Sequence, residues 1–399
     1  MKKILLSLSL MVAPVSMYAD ALSTQILQNN ESLQAAKLSL KGDELALRTE
    51  GNLPDPEIEI EIMALPEPSL ELTVSETIEW PGVYQMRKKA RECRINASQY
   101  LFESKRMEVV KQARLAYLDL INLNCRLSRR RQLLQVLDSM LRKVVDVEMR
   151  AEFNVLEISK MKIDAFDIAS DISSMEIQRQ VVLSDLVQMN GGKAFENVDM
   201  NSTKYPIEKK AVEHYISAYY NSPDYMATLS GLQADEFDVK AGKRSWWPNI
   251  TLGYKFTSEG EVRGHGAVVG FSIPLFSNKG KVKASRAIQQ SNDFAKTYQS
   301  RKGEADIRSR YDEVERISQS IEEYGKRLNY SEVKKYLDEA LAAKSITIID
   351  YLAEYQFILN AFQKLDDMQS DLAAKYIELS KYDSLDRKQP VGIGNLTFL

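Results

Sequence analysis

The side chains able to do chemistry in this 399-residue chain are few, and their spacing does not build an active site. His214 and His265 are the only histidines and Cys93 and Cys125 the only cysteines, and no Cys pair has metal-ligand spacing. There is no Gly-rich phosphate loop and no nucleophile elbow. A metal-dependent hydrolase on a helical scaffold would have to rest on these histidines or on carboxylates, and the carboxylates follow helix and strand patterning. No catalytic residue, cofactor or metal site is therefore expected. A formal net charge of −3 gives no electrostatic case for a nucleic-acid partner. Cys93 and Cys125 fall in one predicted helix, where a rise of about 1.5 Å per residue separates them by about 48 Å. That distance excludes a bridge within the chain and suggests core thiols.

The carboxylates with the clearest pattern lie in Glu57-Ile58-Glu59-Ile60-Glu61-Ile62, an alternation without an error. A second run sets Leu70, Leu72 and Val74 against Glu71, Thr73 and Ser75. A third sets Ile250, Leu252, Tyr254 and Phe256 against Asn249, Thr251, Gly253 and Lys255, and a fourth sets Ala267, Val269, Phe271 and Ile273 against Gly266, Val268, Gly270 and Ser272. Such strands fit a membrane barrel, with isoleucines toward lipid and Glu57, Glu59 and Glu61 toward a watery lumen. They also fit a half-buried sheet in a soluble domain. Trp80, Trp246 and Trp247 favour the barrel, because all three sit at strand ends, where an interfacial girdle belongs. Four strands cannot close a barrel alone, since the smallest single-chain examples need about eight. A barrel must be shared: two copies would fill their lumen with side chains, whereas three would supply about twelve strands and leave a passage.

Two basic runs stand out. Arg126, Arg129, Arg130 and Arg131 lie in mid-helix and read as a solvated face rather than an anion site. Arg87, Lys88, Lys89, Arg91 and Arg94 follow the first strand pair directly and suit either lipid headgroups or plain solvent.

These residues are positioned by a unit used twice. Lys2, Lys3, the apolar run Ile4 to Val12 and the small residues before Ala21 predict a secretory signal over residues 1–21. No Cys follows that run, so no lipoprotein signal is expected. After it no stretch approaches the roughly 18 to 20 apolar residues of a membrane helix, so an exported chain that spans a membrane must do so as a closed barrel. A first repeat, 22–207, opens with a helix from Leu22 to Gly51, continues through a hairpin over 55–80, and then has no Gly or Pro from Val83 through Asn190. Its first arm, Val83 to about Val147, would be about 96 Å long as a straight helix. Asn154 with Glu157 three residues on reads as the cap of a returning helix, which Gly191 and Gly192 end before a polar connector. A second repeat, 208–385, has its hairpin over 248–276 and a long arm from Lys281 to about Ala343, in which Gly303 and Gly325 suggest a bend or a close approach. Ser222-Pro223-Asp224-Tyr225 aligns with Asn30-Glu31-Ser32-Leu33, and Pro248 with Pro56, at an offset of 192 residues; Thr347 and Asp350 align with Asn154 and Glu157 at 193. Residues 386–399 read as a loose tail.

This duplicated order of helix, hairpin, long helix and returning helix resembles the TolC family of outer-membrane efflux proteins over nearly the whole chain. The residues that carry the likeness are the paired openings at Asn30 and Ser222, the strand starts at Pro56 and Pro248, and Ile78-Glu79-Trp80-Pro81-Gly82 leading into basic helix. The Leu53-Pro54-Asp55-Pro56-Glu57 approach and the Trp80-Pro81-Gly82 exit look most like the cation-efflux branch. The resemblance implies a mainly α protein with a small membrane β-barrel, a homotrimer forming an α/β-barrel channel in the outer membrane and extending into the periplasm. It also implies a periplasmic adaptor (a membrane fusion protein) and, through it, an inner-membrane pump of the RND or ABC type. Asp350 matches an acidic position that rings the family's periplasmic aperture. The second acid of that ring is replaced by Ala353, with Glu354 beside it, and the tyrosine and arginine of the family's closing lock correspond to Leu341 and Ile346. The lock is not carried over, and Asp350 reads equally as a capping acid. The hairpin tips around Asn154, Glu157 and Thr347 are the expected adaptor contact. The expected function is a passive exit duct for small molecules or metal cations. The alternatives are a type I secretion duct and a soluble periplasmic coiled-coil structural or adaptor protein.

Overall fold

The computed structural model describes residues 12–64, 68–145, 155–328, 330–343 and 345–383. It divides into two compact units. One takes in the chain as far as Gln34, Arg106–Ala218 and everything from Ala305; the other comprises Ala35–Lys105 and Tyr219–Glu304.

The first unit is helical. It contains α1 (Val12–Asn29), the start of α2 (Glu31–Thr49), most of α3 (Pro81–Val145), α4 (Val155–Met189), most of α5 (Val212–Tyr220), the last part of α7 (Lys281–Arg327), α8 (Tyr330–Ala342), α9 (Ile348–Leu379) and a 3-10 turn at Lys381–Asp383. Apolar residues three and four apart set its two main cores, since that spacing keeps one stripe of a helix facing its neighbours. In one, Leu133, Leu137 and Met140 of α3 meet Met161, Ile168 and Ile172 of α4 and Tyr351, Tyr355 and Leu359 of α9. In the other, Leu22 and Ile26 of α1 pack with Ala113, Tyr117, Leu120 and Ile121 of α3 and Leu186 of α4. Gly191 (φ 64°) and Gly192 (φ 76°) end α4, where the Gly192 amide donates back to the Val187 carbonyl at 2.9 Å. The connector that follows is held to the helices by Tyr117, whose hydroxyl donates to the Asp199 carbonyl (2.8 Å), and by Asn124, whose amide donates to the carbonyls of Met200 and Ser202 (both 3.0 Å).

The second unit carries the sheet. Strands β1 (Glu57–Met63), β2 (Ser69–Ile78), β3 (Asn249–Glu259) and β4 (Val262–Ser272) form one antiparallel sheet in the order β1-β2-β3-β4. The remainder of α2, the start of α3, α6 (Pro223–Arg244) and the start of α7 complete the unit. A two-residue turn joins β3 to β4, with Gly260 at φ 58°, a backbone state that L side chains rarely adopt.

Four expectations are revised. The helix read over Leu22–Gly51 is two helices, because the Asn30 side chain accepts the Leu33 amide (3.0 Å) and donates to the Met189 carbonyl (2.8 Å), capping α2 instead of continuing α1. The arm read from Lys281 to Ala343 is likewise two helices, with the break after Arg327. The cysteines are free and half-buried, Cys125 at the edge of the Leu22–Tyr117–Leu186 core and not within it, and burial pushes the Cys125 thiol up to about 11. The Arg126–Arg131 run is paired rather than solvated, as described below. Asn154, most of the Ile4–Val12 run and residues 386–399 lie outside the described residues.

Candidate functional site

The register resolves the sheet into two faces. Ile58 lies opposite Val74, Ile60 opposite Leu72 and Ile62 opposite Leu70, while across the next seams Leu72 faces Phe256, Val74 faces Tyr254, Leu252 faces Val269 and Ile250 faces Phe271. Partners directly opposite share a face, so these residues form one apolar band across all four strands. The polar residues on that face, Glu76, Ser258, Arg263 and His265, sit toward the strand ends. The band is uncovered within the chain: Ile58 is 67% exposed, Ile62 74% and Phe271 70%. On the other face Glu57 lies opposite Ser75, Glu59 opposite Thr73, Glu61 opposite Glu71, and Glu71 in turn opposite Thr257. Lys255, across the seam on β3, is ion-paired with Glu71, and the Thr77 and Thr251 hydroxyls are hydrogen-bonded at 2.8 Å. Gly253 permits the close approach of β2, since a Cβ there would lie 2.6 Å from the Val74 carbonyl oxygen. Both faces are thus accessible, and β1 and β4 are open edges of the four-stranded sheet.

The tryptophans gather at one end of this sheet. Trp80 stacks on Trp247 with ring centroids 5.1 Å apart, and Trp246 is exposed beside them. Of the basic run after the hairpin, Arg87 pairs with Glu79 (2.6 Å), Arg94 pairs with Asp238, and Lys89 lies over the Phe237 ring (5.7 Å). That run is therefore partly neutralised by the chain's own groups.

At the other predicted site, Thr347 caps α9. Its hydroxyl accepts the Asp350 amide (3.1 Å), and Asp350 Oδ2 accepts both the Thr347 amide (3.2 Å) and the Thr347 hydroxyl (2.7 Å). These bonds, the hydroxyl first, hold the Asp350 carboxyl below its ordinary range. Glu354 is exposed one turn further along the helix. Glu157 lies in the first turn of α4. Leu341 and Ile346 pack against the core beside Tyr351 and Tyr355. Asp338 of α8 accepts from Lys334 (2.7 Å) and from the Tyr351 hydroxyl (2.8 Å), and both bonds lower its pKa.

The mid-helix arginines bind α3 to two neighbours. Arg129 makes a two-point pair with Asp366 (2.5 and 2.9 Å) and lies 5.0 Å over the Phe362 ring; Arg126 reaches Asp367 (2.9 Å), Arg131 reaches Glu176 (2.6 Å) and Arg130 approaches Asp171 (3.8 Å). Their partners are 41 to 241 residues away in sequence, so no local pattern could have assigned them. Among the described residues no group of three or more His, Cys, Asp or Glu is placed to hold a metal ion. His214 instead lies 2.7 Å from Asp383, which also accepts from Lys210 (3.2 Å). Among the described residues no helix is long and apolar enough to cross a membrane.

By sequence, no protein family and no curated protein matches the chain. Its structure is similar to that of a membrane protein from Pseudomonas aeruginosa (TM-score 0.75, 15% identity, covering 92% of this chain and 90% of that one). It is also similar to the channel-forming protein CusC (0.73, 15%, 92% and 91%) and to the open state of the MtrE outer-membrane channel of Neisseria gonorrhoeae (0.71, 14%, 92% and 89%). At these identities the likeness establishes the fold, which is the TolC-type channel fold that the sequence resemblance implied.

Proposed function

We propose that a chain with this channel fold works as one third of an outer-membrane exit duct, three copies pairing β1 of one with β4 of the next into a barrel of about twelve strands. The observation that carries the reading is the sheet itself: an uncovered apolar band, a polar reverse face and two open edges. In lipid every backbone amide and carbonyl must be satisfied, so an isolated four-stranded sheet is not a solution and edge-to-edge closure is. The apolar band then meets lipid and the tryptophans lie at its boundary with water. Glu57, Glu59 and Glu61 line the lumen with charge of one sign, which favours cations among the solutes that pass.

The helical tips are the part of the duct that receives cargo from a periplasmic adaptor and its inner-membrane pump. Thr347 and Glu157 start the helices at that contact, and Asp350 and Glu354 stand at the aperture. Since Asp350 is already committed to the cap, Glu354 is the freer of the two carboxylates to act on solutes. The duct does no chemistry, and its partner pump supplies the energy.

The test is fractionation with a paired substitution. Ile60→Lys places charge at the middle of the lipid-facing band, at a cost of about 2–4 kcal/mol, and is expected to deplete the crosslinkable trimer from the outer-membrane fraction. Glu59→Lys, its neighbour on the lumen face, is expected to leave assembly intact and lower conductance to cations. A native chain found wholly in the soluble periplasm would overturn the reading.

A further inference from the structure

We infer that the turn between β4 and α7 is a bilayer anchor that inserts Leu275 and Phe276 into the periplasmic leaflet and binds anionic phospholipid headgroups through Lys279, Lys281 and Lys283; this rests on the proposed barrel and extends it to a lipid partner. Leu275 is 64% exposed and Phe276 84%, and the strand end leads into them through Ile273, also 64% exposed. The turn is held in place. Pro274 and Asn278 are buried, the Asn278 amide donates to the Ser245 carbonyl at the end of α6, and the Lys279 amide donates to the Phe276 carbonyl (3.1 Å). A pinned turn that aims two large apolar side chains outward has not failed to fold them in; its backbone is fixed in the conformation that exposes them.

Charge identifies the occupant. From Val262 through Asn292 there is no Asp or Glu, while Arg263, Lys279, Lys281, Lys283 and Arg286 are all basic. The end of α6 beside the turn adds Lys243 and Arg244, again with no acid from Val239 to Ser258, whereas Lys240 is paired with Glu236. Lys243 and Arg286 line a cleft of about 280 Å³ between α6 and α7 whose one acid, Glu236, is paired with Lys240 (2.6 Å). Apolar tips continuous with a lipid-facing band, followed directly by unopposed cations, match the order of acyl chain and phosphate in an anionic leaflet. A soluble acidic protein would fit the lysines but not Phe276.

The experiment uses the full chain reconstituted in vesicles of phosphatidylcholine and phosphatidylglycerol (7:3). Cys93 and Cys125 are replaced by Ser, and single cysteines at 276, 60 or 294 carry an environment-sensitive fluorophore. The label at 276 is expected to be quenched by doxyl-labelled lipid and protected from aqueous iodide, as at 60, whereas 294, on α7 beyond the basic run, is expected to show the reverse. In unlabelled protein, brominated phosphatidylglycerol is expected to quench the tryptophans, all near this turn, about fivefold more effectively than brominated phosphatidylcholine. That preference is expected to vanish in the Lys279→Gln, Lys281→Gln, Lys283→Gln variant. Quenching at 60 but iodide access at 276 would overturn the anchor and leave the barrel standing, whereas iodide access at both positions would overturn the barrel. Shielding of 276 from both quenchers would mean that another copy of the chain covers it and would overturn the anchor. Equal quenching by the two brominated lipids would overturn the headgroup assignment.

Discussion

Asn30 and Ser222 hold the same place in the two repeats, 192 residues apart, and each accepts the amide of the third residue on, Leu33 at 3.0 Å and Tyr225 at 3.3 Å. From these matched caps the repeats diverge. The first long arm, α3, is one helix of 65 residues, and it is fixed to α9 by the two-point Arg129–Asp366 pair. The second breaks after Arg327 into α7 and α8, and its ties to α9 are Arg310–Glu378 (2.7 Å), with both side chains more than a third exposed, Lys375–Glu313 (3.1 Å) and the Asp338–Tyr351 bond. The duplication thus preserved the places where chain direction changes and relaxed the helix between them. Caps are set by local hydrogen bonds that survive sequence drift, whereas continuity over many turns needs every neighbour to agree.

The largest expected difference tests one tie from each arm. Arg129→Ala strands the Asp366 carboxylate, which is only 15% exposed, and is expected to cost about 3 kcal/mol in denaturant unfolding. Arg310→Ala removes a surface pair and is expected to cost less than about 1 kcal/mol. Equal losses would mean that the two arms are bound alike and would break the contrast.

Next come the caps. Asn30→Ala removes the α2 cap and leaves the Met189 carbonyl without its donor, so a loss of about 2–3 kcal/mol is expected, against about 1 kcal/mol for Ser222→Ala. The melting temperatures of the two variants decide the order.

The glycines of the second arm should act in opposite directions. A Cβ on Gly303 would lie 2.1 Å from the Tyr219 ring, so Gly303→Ala is expected to destabilise by about 1–3 kcal/mol, while a Cβ on Gly325 meets nothing within 4 Å and Gly325→Ala is expected to stabilise by about 0.5–1 kcal/mol. A destabilising Gly325→Ala would show that the arm depends on that glycine for its break.

The smallest effect is on pH. Because the Thr347 bonds depress the Asp350 pKa, the contribution of this cap is fully present above the unfolded value of about 3.9 and is lost as pH falls through the lower folded value. The protection factors of the amides at the start of α9, that is exchange corrected for its intrinsic pH dependence, are therefore expected to fall only in acid, and Asp350→Asn is expected to remove that dependence. A change near neutral pH would contradict it.

How much could be read in advance depended on range. The four strands, their facing, the Gly191-Gly192 stop and the Thr347 cap were legible because each rests on residues adjacent in sequence. Asn30 was missed as a break although it was recognised as the partner of Ser222, because the apolar periodicity runs through it and only its reach to Met189 shows the chain turning. The arginine run was misread for the same reason: mid-helix basic residues look solvated until Asp366, Asp367 and Glu176 arrive from other helices.

The duplicated unit, the alternation that makes the sheet two-faced, and the requirement that any barrel be shared between chains were all readable from residue order, since period, spacing and strand number are properties of one chain. The tertiary structure decided which residues lie opposite one another across β2 and β3, about 180 residues apart, that both faces stay uncovered, and that a buried Asn278 holds Phe276 outward. Those depend on which distant segments meet, and contact between distant segments is chosen by packing and hydrogen bonding over the whole fold, not by local pattern.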